Sequence, residues 1–190
     1  MPRPSVRGKL VDAGYETLFS QGFQGSSIQD ITEAAGVPKG SFFNHFKTKE
    51  ALALEVLARY EEVGRGDLLF DETKPPLQRL RQHFEFLADR LEGWDFNRGC
   101  MIGNFATEMA DTYPAIREAL FDALTRWTDA IASVLRSAQA AGEIDPRQDA
   151  DLLARFLVNS WEGAVIRLRV VRNRQPLDEF FTICFGALLK

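Results

Sequence analysis

Nearly every stretch of this 190-residue chain repeats its apolar residues at intervals of three and four, and that period constrains the fold before any motif does. Val11, Tyr15, Leu18 and Phe19 share one face of a first helix that ends near Gly22. Ser27-Ile28-Gln29-Asp30 has the spacing of a capping box, and Ile28, Ile31 and Ala35 then face inward. Gly36 stops that helix, Pro38 opens the next, and Thr48 caps a fourth running to about Val63. Gly64 to Pro76 is a linker candidate. Beyond it, helices are expected near Leu77–Leu91 and Arg98–Ala110, from Pro114 to about Ala141, from a cap at Asp145-Pro146 to about Val171, and from Gln175-Pro176 onward. No run alternates with the period of two that strands require. The expected class is all-α, with about nine helices.

The pair of short helices between Ser27 and Phe46, joined by a tight turn, has the dimensions of a helix-turn-helix. Phe42 and Phe46 are four apart and can share one buried face. Phe43 and Asn44 then project from the other side. The second helix begins Pro38-Lys39-Gly40-Ser41, side chains that are short or basic, so its N-terminus can approach a polyanion closely. Lys39 can reach a guanine edge or a phosphate, and Ser41 a base or a phosphate. His45, Lys47 and Lys49 stand where the chain would leave a groove and can clamp a backbone.

Charge supports this direction only weakly. The chain totals −4, yet residues 1–49 carry six basic side chains, Arg3 among them, against four acidic ones, a net of +2; the remainder nets −6. Two distant cysteines, Cys100 and Cys184, and two histidines, His45 and His83, offer neither a metal-ligand spacing nor a disulfide framework, so no metal and no cofactor is expected and a cytoplasmic setting is. No apolar run has membrane-spanning length, and the basic start lacks the hydrophobic stretch of a signal peptide. No nucleophile–base pair or phosphate loop is visible, which weighs against an enzyme. A helical interaction module without DNA binding is the other rival.

The run Gly22-Phe23-Gln24-Gly25-Ser26-Ser27-Ile28, then Ile31 to Gly36, then Val37 through Leu52, resembles the TetR family of repressors over roughly residues 7–56. The resemblance implies an Ω-shaped homodimer. In each subunit, residues 1–48 would form a three-helix DNA-binding head and residues 49–190 a ligand-binding and dimerisation body. It implies a double-stranded palindromic operator, contacted by Ser27, Pro38, Lys39, Gly40, Ser41, Phe43, Asn44, His45 and Lys49. One position departs from the family: Phe43 stands where Tyr is common, so a hydroxyl contact to phosphate gives way to an apolar one.

Two apolar stripes close the chain. One holds Leu153, Phe156, Leu157, Ser160, Trp161, Ala164 and Leu168; the other holds Phe180, Phe181, Cys184, Phe185 and Leu188. The resemblance assigns this pair to a dimer interface, through Phe156, Ser160, Ala164, Leu168, Phe181 and Phe185. The alternative is that the stripes face the subunit's own core, and each is wide enough for both. A small-molecule or electrophilic inducer is expected within the body. The candidate linings are Tyr60, Phe86, Met101, Asn104, Phe105, Glu108, Trp127 and Trp161, although aromatic residues at helical spacing also serve simply as core. Glu162 is a further polar residue on an apolar helix, and His83 is expected at the surface or bonded locally. Asn97 to Glu108 resembles the Gly-Cys-opening helix of TetR relatives that respond to electrophiles, oxidants or small unsaturated acids, in which the cysteine matching Cys100 can be the sensor. A helix start beside Arg98 would favour its thiolate; burial as a small hydrophobe is the competing reading.

Overall fold

A computed structural model describes residues 5–190, so Arg3 lies outside the described residues. Those residues form nine α-helices and no strand: α1 Val6–Gln21, α2 Ile28–Ala34, α3 Gly40–Phe43, α4 Lys49–Glu62, α5 Pro76–Gly93, α6 Met101–Met109, α7 Pro114–Ala140, α8 Ala150–Val171 and α9 Gln175–Ile183. The segment expected as a linker contains a 3-10 turn at Gly66–Phe70, and α9 runs on into a π-turn at Cys184–Leu188. No described helix is long and apolar enough to cross a membrane.

Helix ends follow local chemistry. The Ser5 hydroxyl accepts the Gly8 N–H at 3.1 Å, and the Thr48 hydroxyl accepts that of Ala51 at 3.1 Å. The capping box at α2 is complete: the Ser27 hydroxyl accepts the Asp30 N–H at 3.1 Å, and the Asp30 carboxylate accepts the Ser27 N–H at 2.7 Å. Two expected starts move. Arg147 holds the Asp145 carboxylate at 2.7–3.1 Å, and it is Asp149 that accepts the N–H groups of Asp151 and Leu152 to open α8. The helix expected from Arg98 starts at Met101, because Asp95, Phe96 and Gly99 all take positive φ (49°, 57° and 73°) and turn the chain first.

The chain forms two compact units. One holds the chain as far as Val63 together with Met101–Asp122; the other holds Gly64–Cys100 and Ala123–Lys190. In the first, Leu10, Leu18, Ile31, Phe42, Leu52 and Val56 are buried, while Ile28 and Ala35 are half-buried rather than fully inward. Gly14 lets α1 lie close to α4, since a Cβ there would stand 2.8 Å from Leu52 Cδ2. In the second, Phe84 centres an aromatic core, 5.1 Å from the Trp161 ring and 4.9 Å from that of Phe180.

Candidate nucleic-acid interface and regulatory residues

The α2–turn–α3 segment presents one apolar face inward and one polar face outward. Gly36 takes φ +64°, and the Val37 N–H donates back to the Thr32 carbonyl at 3.0 Å, closing the turn. The helix after it is a single α-turn, extended by the Phe46 N–H to the Phe42 carbonyl at 2.8 Å. Phe42 and Phe46 are buried with rings 5.6 Å apart, and Arg7 lies over the Phe46 ring while pairing with Glu55. On the opposite side Pro38, Lys39, Gly40, Phe43, Asn44, His45 and Lys47 are exposed and Ser41 is half-buried. Phe43 is 55 % exposed, unusual for so large an apolar ring. The Lys39, Asn44 and Lys47 side chains make no hydrogen bond or ion pair among the described residues.

Two expected contacts sit differently. The Ser27 hydroxyl is engaged by Asp30, both accepting its N–H and donating to its carboxylate at 2.7 Å. The Ser27 hydroxyl and backbone N–H, both donating to the Asp30 carboxyl, hold it below its usual range. Lys49, expected as a clamp on the DNA backbone, turns inward. Its ammonium donates to the carbonyls of Phe23 and Ser26, each at 2.6 Å, and lies 4.1 Å from the Phe23 ring centre. The turn between α1 and α2 exposes those carbonyls toward α4, and an ammonium is the donor that satisfies both.

That turn is also held from α6. Glu108, expected to line an inducer site, accepts the Gln24 N–H at 2.9 Å, and a Cβ on Gly22 (φ +79°) would meet its carboxylate at 2.6 Å. Tyr113 packs edge-on against Phe23 at 5.2 Å. Glu108 also draws the Lys49 charge, countering the burial that lowers the ammonium's pKa.

The remaining effector candidates divide between the units. In the first, Tyr60 packs on Tyr15 and Phe19 at 6.5 and 5.5 Å, Met101 and Phe105 are fully buried, and Asn104 is half-buried. In the second, Trp161 is core, and Phe86 is half-buried with Arg65 and Arg90 over its ring. Trp127 donates its indole N–H to His83 Nε2 at 2.9 Å. His83 is therefore neither exposed nor locally bonded: it is 3 % exposed, joined to a helix 44 residues away, and pushed down to about 4 by burial. Cys100, also buried, hydrogen-bonds the Glu162 carboxyl, whose pKa is raised by burial and whose Oε1 is buried without a hydrogen-bond partner. Cys184 lies within apolar packing, its thiol pushed up to about 11.

Of the six residues assigned to an interface, Phe156, Ser160 and Ala164 line a shallow groove between α8 and α9 with Gly163, Arg167 and Ile183. Leu168 and Phe181 are buried within the unit, because their faces of α8 and α9 pack on its own core; Phe185 stacks on Phe181 at 5.8 Å. Sequence reasoning missed the inward Lys49, the Cys100–Glu162 pair, and two buried polar residues on α5, Arg79 and His83. Their signal was available: both fall in the stripe occupied by Leu80 and Phe84.

Residues 10–56 match the model described as bacterial regulatory proteins, tetR family, and residues 76–184 match the tetracyclin repressor-like C-terminal domain. The chain is 40 % identical to the HTH-type transcriptional repressor DhaR of Mycobacterium sp. (strain GP1), over 100 % of this chain and 95 % of that one. It is 34 % identical to the transcriptional regulator AcuR of Cereibacter sphaeroides, over 93 % and 82 %. The crystal structure of a regulatory protein TetR from Rhodobacter sphaeroides superposes with a TM-score of 0.84 at 33 % identity, covering 91 % of this chain and 93 % of the other.

Proposed function

The chain belongs to the TetR family of bacterial regulatory proteins, and on that premise we propose that it is a cytoplasmic homodimeric repressor released from a palindromic operator by a small effector. The observation that carries the DNA contact is the exposed face from Pro38 to Lys47, with the Lys39, Asn44 and Lys47 side chains lacking partners among the described residues and Phe43 open to solvent. Residues 1–48 act as the head and 49–190 as the body. Dimerisation through the groove edged by Phe156, Ser160 and Ala164 sets two heads about 34–36 Å apart, one turn of DNA, so each half-site reads one head. An effector that favours another head spacing by about 1–3 kcal/mol suffices to release the operator.

A gel shift against the DNA flanking its own gene tests this reading; absence of sequence-preferring binding at moderate salt would refute it. Lys39→Ala is expected to weaken binding and to reduce the salt slope of log K by about one, the signature of one lost phosphate contact.

The effector acts by occupying the body or by modifying Cys100. The Cys100–Glu162 hydrogen bond favours the second route, since a buried carboxylate can take the thiol's proton as the sulfur attacks an electrophile. Cys100→Ser is expected to leave operator binding intact and to abolish release by an electrophile such as N-ethylmaleimide. Unchanged release in that variant assigns sensing to another group.

A further inference from the structure

Phe43 is exposed, while Tyr15, Phe19, Phe23, Phe42 and Phe46, the other aromatic rings described before α4, are buried or half-buried. A single exposed ring means little by itself, since folded monomers show such rings commonly; here its surroundings decide. Lys39 and Phe43 are four apart, and Lys39 already has αR backbone, so both side chains stand on one face of α3. Asn44 follows on the exposed side, and neither it nor Lys39 has a side-chain partner among the described residues. The Phe42 ring meets Phe43 edge-on at 5.4 Å and braces it from the core. An apolar ring is thereby held in place between two unpaired polar side chains, an arrangement that contact with water alone does not reward.

Gly40, three residues before Phe43, is the second observation. It takes no positive φ, and a Cβ added to it would meet nothing within 4 Å. The fold therefore has no need of glycine there, although glycine is a poor helix former and α3 is a single turn. The missing side chain leaves bare helix beside a projecting ring, which is clearance for a body approaching from outside. The major groove of B-DNA is such a body. Its base edges offer donors and acceptors that suit Lys39 and Asn44, and it carries one apolar group, the C5 methyl of thymine. A phenyl ring has no hydroxyl with which to sort donors from acceptors, so the methyl is the feature it can select.

We propose that Phe43 is a specificity-determining residue: its ring seats against the C5 methyl of one thymine in each half-site, and Gly40 gives the duplex the clearance to reach it. The proposal names a base read by the regulator inferred above and rests on that reading.

The test uses the full-length protein. Selection from a random duplex pool identifies the bound sequence, and each of its thymines is then replaced by deoxyuridine, which removes the methyl and keeps the base pair. One thymine in each half-site is expected to be sensitive, with affinity falling about fourfold per half-site, the worth of one buried methyl group. Phe43→Ala is expected to bind the thymine and deoxyuridine operators equally, with the salt slope of log K unchanged because no phosphate contact is lost. Phe43→Leu, apolar but without the ring, is expected to keep part of the preference. Gly40→Ala is expected to lose tenfold or more in operator affinity while its thermal midpoint holds or rises. Because the thymine–deoxyuridine comparison is made on unaltered protein, it decides the matter even if a variant does not fold. The absence of any deoxyuridine-sensitive thymine overturns the proposal. Sensitivity that survives in Phe43→Ala also overturns it, since the methyl then belongs to another residue. Undiminished affinity in Gly40→Ala overturns the clearance assigned to that glycine. A selection that enriches no sequence strikes the regulator reading instead, and the two failures are read in separate experiments.

Discussion

Phe42→Ala is expected to destabilise the first unit by about 3–5 kcal/mol and to abolish operator binding. Phe42 is fully buried, and its ring meets both Phe46 at 5.6 Å and Phe43 at 5.4 Å. It is also the acceptor residue for the backbone N–H groups of His45 and Phe46. Truncation therefore leaves a cavity beneath the one-turn helix that presents Lys39, Ser41 and Asn44. A helix of four residues cannot hold its own shape in water, so it depends on that packing. Urea unfolding followed by far-UV circular dichroism measures the loss, and gel shift measures the consequence. Full retention of both would mean that α3 does not depend on the Phe42 core.

Lys49→Met is expected to lower stability by about 2–3 kcal/mol and operator affinity by tenfold or more, yet to leave the salt slope of binding unchanged. Two bonds from a charged donor at 2.6 Å disappear, stranding the Phe23 and Ser26 carbonyls, while the apolar stem is kept. The side chain retains some solvent access, which places the loss below the sum of two buried charge-assisted bonds. The slope discriminates between roles. A lysine on phosphate contributes about 0.9 to it, whereas one that organises a turn contributes nothing. A slope that falls by about one in Lys49→Met would restore this residue to the DNA contacts and contradict its placement here.

These two residues also mark what a sequence reader can see. Phe42 and Phe46 announce themselves by spacing, as do the capping box at Ser27 and the cap at Thr48, because local geometry alone decides them. Asp145 and Asp149 are four apart and equally suited to begin a helix; the choice went to Asp149 because Arg147 captured the other. Lys49 was legible as a charge near the groove, but its direction depends on carbonyls 23 and 26 residues earlier, which no local pattern encodes. Glu108 and His83 misled for the same reason, each finding its partner through the fold, at Gln24 and at Trp127. The Cys100–Glu162 bond joins residues 62 apart and was equally out of reach.

The clasp on the α1–α2 turn bears on how such regulators are recombined. Glu108 and Tyr113 reach Gln24 and Phe23 from more than eighty residues away in sequence, inside the same compact unit. A chimera that grafts residues 1–48 onto a foreign body leaves both behind and keeps a turn with an uncapped N–H and an uncovered ring. The transplantable module is discontinuous: it comprises the N-terminal segment plus the residues in and just after α6 that grip it, and a functional exchange of DNA specificity carries both pieces or replaces Glu108 and Tyr113 with equivalents in the recipient.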